Sequence, residues 1–188
     1  MRVYLAGPEV FHPEAVTLGE AKRAICADYG LMGVFPLDGG LDLAGLEPRA
    51  AGRAIYAANT RLIRSCDVLI ANLTPFRGPS ADVGTAFELG FMAALGRPVL
   101  AYSNDPRSFR TRLSAHFGGQ LHRRADGALT GSDDLSIEEF DMVDNLMLHG
   151  PLAEGELFLH QAAPGEELTD LTAFEQAVRV VGRMVGLN

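Results

Sequence analysis

Hydrophobic and polar residues alternate between two kinds of segment along most of this chain. Short apolar runs predict β-strands over residues 3–6, 33–37, 68–71 and 98–102. Apolar residues spaced three and four apart predict helices over residues 14–29, 49–65 and 83–95. Strands that alternate with helices are typical of a parallel sheet covered on both faces. We therefore predict an α/β fold with a doubly wound parallel sheet, flavodoxin-like or Rossmann-like.

The pattern weakens after residue 102. Residues 103–134 mix arginine with glycine and serine, a composition that fits either a lid over a site or a solvated loop. An amphipathic helix is predicted over residues 135–149, and apolar spacing from Leu168 to Val185 predicts a final packing helix. The chain contains no repeat and no evident linker, so we assign residues 1–188 to a single domain.

The helix predicted over residues 83–95 has no solvated face. The only ionisable residue between Asp82 and Arg97 is Glu88. A helix that is apolar all round is normally buried, and a buried charge is costly unless it is paired or used. Gly84 leaves space where the Glu88 side chain points, and Asp82 lies at the cap position within reach of that space.

Two interpretations of these carboxylates remain open from the residues alone. In one, Asp82 only caps the helix and Glu88 pairs with a buried arginine; in the other, the two flank a pocket. The turn Gly7-Pro8 after the first strand fits the pocket, because turns at the carboxyl ends of parallel strands face the ligand crevice. Asn59 is likewise either a hydrogen-bonded core amide or a site residue.

Composition narrows the classes of function. A net charge of -8 and a pI near 5.0 argue against a nucleic acid or an anionic membrane surface as partner. No apolar run approaches the roughly 20 residues of a membrane span, and no signal core is evident, so we expect a cytoplasmic protein. Cys26 and Cys66 are expected as core thiols. Because neither a dinucleotide fingerprint nor metal-ligand spacing is present, we predict no cofactor and no metal site.

Three motifs carry a resemblance to a known family. They are VYLAGPEVF at 3–11, ANLTPFRG followed by DVGTAFELG at 71–90, and DNLML at 144–148. Together they resemble the nucleoside 2-deoxyribosyltransferase family over most of the chain, least clearly over 104–134. The resemblance implies exchange of nucleobases on a 2-deoxyribosyl group, with 2′-deoxynucleosides and free nucleobases as the small-molecule partners.

The resemblance also implies roles for particular residues. Glu88 matches the nucleophile that forms a covalent glycosyl-enzyme, Asp82 the residue that assists protonation of the departing base, and Tyr4 the residue that orients the nucleophile. Asn145 and Met147 match an element that a neighbouring subunit donates, which implies a homo-oligomer with a shared active site. The chemistry requires an anionic Glu88, expected to be supported by hydrogen-bond donors, and an Asp82 that is at least transiently protonated.

Further substrate-binding residues are expected at the turns and helices around these carboxylates. They are Gly7, Pro8, Phe11, Asn59, Phe76, Arg77 and Gly84. Asn59 stands where some members of the family carry an aspartate, and an amide both donates and accepts hydrogen bonds, so base preference stays open.

Two alternative functions remain. One is a hydrolase of 2′-deoxynucleosides or their 5′-monophosphates, in which water replaces the second base. We expect Glu9 to repel a phosphate at the first turn, which favours unphosphorylated nucleosides. The other is a non-catalytic nucleotide-binding module, against which the intact set of Glu88, Asp82 and Tyr4 argues.

Overall fold

The computed structural model describes residues 1–184 and 186. In chain order, its strands and helices are β1 (Arg2–Ala6), α1 (Ala15–Asp28), β2 (Met32–Val34), α2 (Pro48–Arg64), β3 (Val68–Asn72), α3 (Val83–Ala94), β4 (Val99–Ser103), α4 (Phe109–His116), β5 (His122–Arg123), β6 (Leu129–Thr130), α5 (Leu146–His149), β7 (Leu157–Leu159) and α6 (Thr172–Met184).

The central sheet has five parallel strands in the order β2-β1-β3-β4-β7. This is the flavodoxin-like order, and it confirms the predicted doubly wound fold. β7 adds a fifth strand to the four that were predicted, while β5 and β6 form a separate antiparallel pair. The strand order reverses between β1 and β3, so the turns at their carboxyl ends border the crevice where such folds bind ligands.

The sheet separates two apolar clusters. Because side chains alternate along a strand, Val3 and Leu5 of β1 pack with α1 and α6, whereas Tyr4 and Ala6 face α2 and α3. All residues of β3 and β4 are buried. Both faces are therefore covered, as expected for a parallel sheet, and the carboxyl edge is left to form a site.

Two predicted segments differ from the structure in extent. The second strand ends at Val34 instead of residue 37, because Pro36 has no N–H for the ladder and begins the 3-10 helix Pro36–Gly39. Residues 103–134 are more ordered than a plain loop, since they contain α4 and the pair β5–β6. Whether this segment acts as a lid stays a prediction.

The helix predicted over residues 135–149 was wrong for all but its last turn, α5. The earlier residues bond to other segments: Ile137 N–H donates to Leu129 O at 2.8 Å, and Met142 O accepts from Phe109 N–H at 2.9 Å. Asp141 also adopts a left-handed backbone with φ of 54°, which a right-handed helix excludes. The final helix begins at Thr172, and Val185 lies outside the described residues.

The outer face of α3 is apolar and open. Thr85, Leu89 and Met92 face the interior, but Val83 is 84% exposed and Phe87 is 49% exposed. The expectation of a helix buried all round was therefore wrong for the single chain, since the sheet covers only one side of α3. An apolar face of this kind is characteristic of a surface that a partner covers.

Two further expectations concern the cysteines and membrane association. Cys26 and Cys66 are both buried and neither forms a disulfide. Across residues 1–184 and 186, none of the helices combines the length and hydrophobicity needed to cross a bilayer.

A buried polar network ties the carboxyl edge of the sheet together. Oε1 of Glu9, in the turn after β1, accepts hydrogen bonds from Lys22 Nζ, Tyr102 Oη at 2.7 Å and Asn72 Nδ2 at 3.1 Å. Glu9 and Lys22 are both fully buried. Burial alone would raise the pKa of Glu9, but the Lys22 ammonium and the Tyr102 hydroxyl lower it below its usual range. The ion pair therefore persists and joins the first turn to α1, β3 and β4.

Removing the cation of this pair should destabilise the protein strongly. We expect Lys22→Met to lower the free energy of unfolding by about 3–5 kcal/mol, because Glu9 then carries an uncompensated charge in a dry site. Arg23→Met is the matched control: Arg23 pairs with Asp38 where both side chains are about one third exposed, and its loss should cost about 1 kcal/mol or less. Urea unfolding measures both, and equal losses would contradict this account.

Candidate active site

Glu88 and Tyr4 meet beneath the crevice. Tyr4 lies on the face of β1 that packs against α3, and its Oη donates a 2.5 Å hydrogen bond to Glu88 Oε1. Glu88 belongs to the second turn of α3. Its other oxygen, Oε2, accepts no hydrogen bond from the described residues. The bond orients the carboxylate. No arginine pairs with Glu88 among the described residues, so the alternative of a buried arginine partner was wrong.

The surroundings of Glu88 favour its neutral form. Burial raises the pKa of Glu88 to about 7, the Tyr4 hydroxyl opposes that rise, and the negative charges of Asp82 and Glu9 add to it. Burial and the Glu88 charge also raise the pKa of Tyr4 well above its usual range, so Tyr4 keeps its proton. Only one donor supports Glu88 among the described residues, where several were expected. Glu88 is thus a carboxyl group that changes protonation state near neutral pH.

Asp82 is the N-cap of α3. Its Oδ2 accepts hydrogen bonds from Thr85 N–H at 2.9 Å and Thr85 Oγ1 at 3.2 Å. Oδ1 accepts no hydrogen bond from the part of the chain that the structure describes. A Cβ placed on Gly84 would lie 2.9 Å from Asp82 Oδ2, so the space at Gly84 accommodates Asp82 instead of Glu88. Asp82 therefore caps the helix with one oxygen and leaves the other available.

A stack of rings lies at the mouth of the crevice. The Phe11 ring, at the end of the first turn, packs parallel to the Phe76 ring from the turn after β3, with centroids 5.4 Å apart. The Arg77 guanidinium lies 4.8 Å from the Phe76 centroid and 5.3 Å from that of Phe11. Arg77 reaches this position through a left-handed backbone with φ of 55°. The structure thus brings together three of the residues predicted to bind substrate.

Gly7 and Pro8 form the first turn between this stack and the buried network. A Cβ on Gly7 would lie 1.9 Å from Glu9 Oε2 and 3.0 Å from Asn72 Cβ, so only glycine fits. Pro8 begins the 3-10 helix Pro8–Phe11. The expectation that Glu9 repels a phosphate was wrong, because Glu9 is buried beneath the turn and paired with Lys22.

Asn59 lies on α2 and is half-buried. It lines a cavity of about 180 Å³ together with Ile55 and the loop over residues 36–43. Its amide makes no hydrogen bond to the described residues, so the interpretation as a satisfied core amide was wrong. The structure does not place Asn59 against the ring stack.

Asn145 and Met147 lie on the far side of α3 from Glu88. They border a groove of about 400 Å³ with Val83 and Gly90. At about 100° per residue, those α3 positions point away from the face that carries Glu88. Met147 is 71% exposed, and Asn145 Oδ1 caps α5 by accepting from Met147 N–H at 3.0 Å. Within one chain, these two residues are therefore not brought to Glu88.

The structural roles of two buried residues that shape the site were not predicted from the sequence. Glu9 supports the first turn, and Asp144 accepts hydrogen bonds from Ser80 and Ala81, directly before Asp82. Their positions in the sequence could have indicated them, because Glu9 follows the Gly7-Pro8 turn and Asp144 directly precedes Asn145 in the DNLML motif.

Comparison with known proteins agrees with this geometry. The family model for nucleoside 2-deoxyribosyltransferase matches residues 3–147. The chain belongs to the nucleoside 2-deoxyribosyltransferase family. Membership in this family indicates an enzyme that acts on the N-glycosidic bond, with nucleosides and nucleobases as substrates.

Three individual proteins are similar to this chain in sequence or fold. An uncharacterized Schizosaccharomyces pombe protein is 34% identical over 158 residues, 79% of this chain and 75% of that protein. The structure of a 2-desoxiribosyltransferase from Leishmania mexicana is 36% identical, with a TM-score of 0.59 over 79% of this chain and 85% of its own. A 2-deoxyribosyltransferase from Bacillus psychrosaccharolyticus shares the fold at 18% identity, with a TM-score of 0.52 over 93% and 96%.

The raised pKa of Glu88 predicts a pH-dependent effect on stability. Between its ordinary pKa and about 7, the folded protein binds more protons at Glu88 than the unfolded chain, so this group destabilises the fold as pH rises. Glu88→Gln should therefore raise Tm relative to wild type by several degrees at about pH 8 and much less at about pH 5. Differential scanning calorimetry measures this. Glu20→Gln, at an exposed glutamate, is the control, and equal shifts at both pH values would contradict the assignment.

Proposed function

We propose that this enzyme transfers the 2-deoxyribosyl group between nucleobases through a covalent glycosyl-enzyme on Glu88. The observation that carries the proposal is the Tyr4–Glu88 hydrogen bond of 2.5 Å, which orients one carboxylate oxygen and leaves the other unengaged. Asp82 stands close enough to raise the pKa of Glu88 and has an oxygen of its own available. Two such carboxylates supply the nucleophile and the proton that retaining glycoside chemistry requires.

The proposed reaction has two displacements. In the first, anionic Glu88 forms a bond to C1′ as the C1′–N bond breaks, and the bond's electron pair leaves with the base, which takes a proton from Asp82. In the second, a nitrogen of the incoming base attacks C1′, the Glu88 carboxylate is released, and Asp82 takes back a proton. A raised pKa makes Glu88 a better nucleophile in its anionic form, and Tyr4 holds it in line.

The ring stack supports a binding role toward the base. Phe11 and Phe76 offer aromatic surface, and Arg77 offers donors for ring nitrogens or carbonyl oxygens of a nucleobase. Asn59, with an unengaged amide facing a cavity, both donates and accepts. These residues favour bases over a bulky apolar group, and base preference is set by how their donors and acceptors match.

We further propose that the active site is shared in a homo-oligomer. Val83 and Phe87 expose an apolar face of α3, beside the groove that Asn145 and Met147 border. Because Asn145 lies on the opposite side of α3 from Glu88 of its own chain, it serves a catalytic site best when it projects into the neighbour's. Covering this apolar face provides the association energy.

Turnover should depend on Glu88. Incubation with deoxyinosine, with and without adenine, followed by chromatography, should show deoxyadenosine appearing in step with hypoxanthine. Glu88→Ala should lower that rate by about 10³-fold or more, because the covalent nucleophile is lost. The exposed control Glu20→Gln should keep the wild-type rate.

Other product patterns distinguish the alternatives. Hypoxanthine with free deoxyribose and no deoxyadenosine would establish a hydrolase. No reaction with either nucleosides or 5′-monophosphates would favour a binding module. A Glu88→Ala enzyme that keeps about a tenth of the rate would overturn the nucleophile assignment.

Subunit mixing tests the shared site. We define an acceptor chain as Asn145→Ala, which keeps Glu88, and a donor chain as Glu88→Ala, which keeps Asn145. Each should be inactive alone, but hybrids should regain activity, because one site then combines Glu88 of the acceptor chain with Asn145 of the donor chain. The measurement is the deoxyadenosine rate of hybrids purified through two different tags.

A site built within one chain gives a different result. Every site of the hybrid would then contain one defective residue, and activity would stay at the level of the separate variants. Sedimentation of each sample confirms that hybrids and parents have the same assembly size.

A further inference from the structure

Asp144 is a buried carboxylate that joins three separate segments of the chain. Its Oδ1 accepts from Ser80 Oγ at 2.5 Å and from Asn145 N–H at 2.8 Å. Its Oδ2 accepts from Ala81 N–H at 2.9 Å and from Arg112 Nη2 at 3.2 Å. The side chain is fully buried. All four donors bond the same rigid carboxylate, and this fixes the spacing between the segments that supply them.

Two of these segments lead to residues of the proposed site. Ser80 and Ala81 directly precede Asp82, which caps α3 and stands near Glu88. Asn145 caps α5 and is the residue proposed to reach the neighbouring subunit. Asp144 therefore links Asp82, which belongs to the site of the same chain, to Asn145, which the chain is proposed to contribute to the neighbouring site.

Arg112 holds Asp144 in place from α4. Its guanidinium is buried and donates to the Val143 carbonyl as well as to Asp144. Its Nε and Nη1 have no hydrogen-bond partner among the described residues. Such a charge is stable only with its counter-charge present, so Arg112 and Asp144 act as one unit that attaches α4 to the site.

We infer that Asp144, held by Arg112, is a positioning residue that couples two active sites, because it fixes the Asp82 loop of its own site and the Asn145 cap that enters the neighbour's. This inference rests on the shared site proposed above. Asp144 contacts no reacting atom in this scheme. A shift of the carboxylate displaces Asp82 in one site and Asn145 in the next.

Two variants distinguish a role of Asp144 in coupling the sites from a role in folding. Asp144→Ala combined with Arg112→Met removes the whole connection without leaving a buried unpaired charge, a replacement that is often neutral for stability. Asp144→Asn is subtler: an amide NH₂ at the Oδ1 position keeps Ala81 and Arg112 bonded and loses the Asn145 N–H. Asp170→Asn is the control, since Asp170 is a half-buried aspartate that bonds His160 and Thr172 N–H and shares no hydrogen-bond partner with Asp144 or Arg112 among the described residues.

Each variant is introduced into either the acceptor chain or the donor chain of the hybrid, one chain at a time. The double variant should lower kcat/KM of the working site by about 10- to 100-fold from either chain, since a displacement near 1 Å is that costly. Asp144→Asn should lower it more from the donor chain, which supplies Asn145, than from the acceptor chain. Asp170→Asn should change it from neither, and sedimentation and Tm should show intact assemblies throughout.

Other outcomes overturn the inference. If the double variant lowers kcat/KM from only one of the two chains, Asp144 serves a single site. If it lowers kcat/KM from neither chain, Asp144 is a packing residue. An inactive parent hybrid would instead overturn the shared site, and the coupling with it. These failures are distinguishable because the parent hybrid is measured first, without any change at Asp144.

Discussion

The site depends on burying a carboxylate without giving it a cation. Glu88 sits under the crevice with one donor, the Tyr4 hydroxyl, while Glu9 nearby has a buried lysine and two further donors. Burial acts to raise the pKa of both groups, but Lys22 and the Tyr102 hydroxyl lower that of Glu9 below its usual range, whereas that of Glu88 stays raised. One buried carboxylate therefore holds the backbone in place, and the other keeps an unengaged oxygen and a raised pKa.

The fold supplies this contrast through strand geometry. Because side chains alternate along β1, Tyr4 faces α3, where it bonds Glu88. The turn after β1 carries Glu9 against α1, so one strand and its following turn position both carboxylates. The reversal of strand order beside β1 places the turns after β1 and β3 next to each other at the carboxyl edge of the sheet. The ring stack of Phe11, Phe76 and Arg77 forms across that opening. The floor of the site, beneath the first turn, and its rim, the ring stack, are thus built by the turns after β1 and β3. These turns are neighbours in space although they are more than sixty residues apart in the chain.

Much of this was predictable from local patterns. Short apolar runs and helical spacing located the central strands and helices, and a lone charge in an apolar helix indicated Glu88. The segment over residues 135–149 could not be predicted, because its helical spacing competes with hydrogen bonds to β6 and α4 that no local pattern reveals. Lys22 gave an unused signal, since it interrupts the apolar stripe of α1. The role of Asp144 depends on partners distant in sequence, and the open face of α3 depends on what lies beyond one chain.

The close fit at Gly7 separates what this enzyme can vary from what it cannot. The floor beneath the first turn interlocks backbone, Glu9 and Lys22 so tightly that a single methyl group at Gly7 has no room. The rim residues mainly touch one another and solvent, so their replacement disturbs little else. The rim can therefore accept substitutions that leave the fold intact, while drift in the floor is removed by selection for folding.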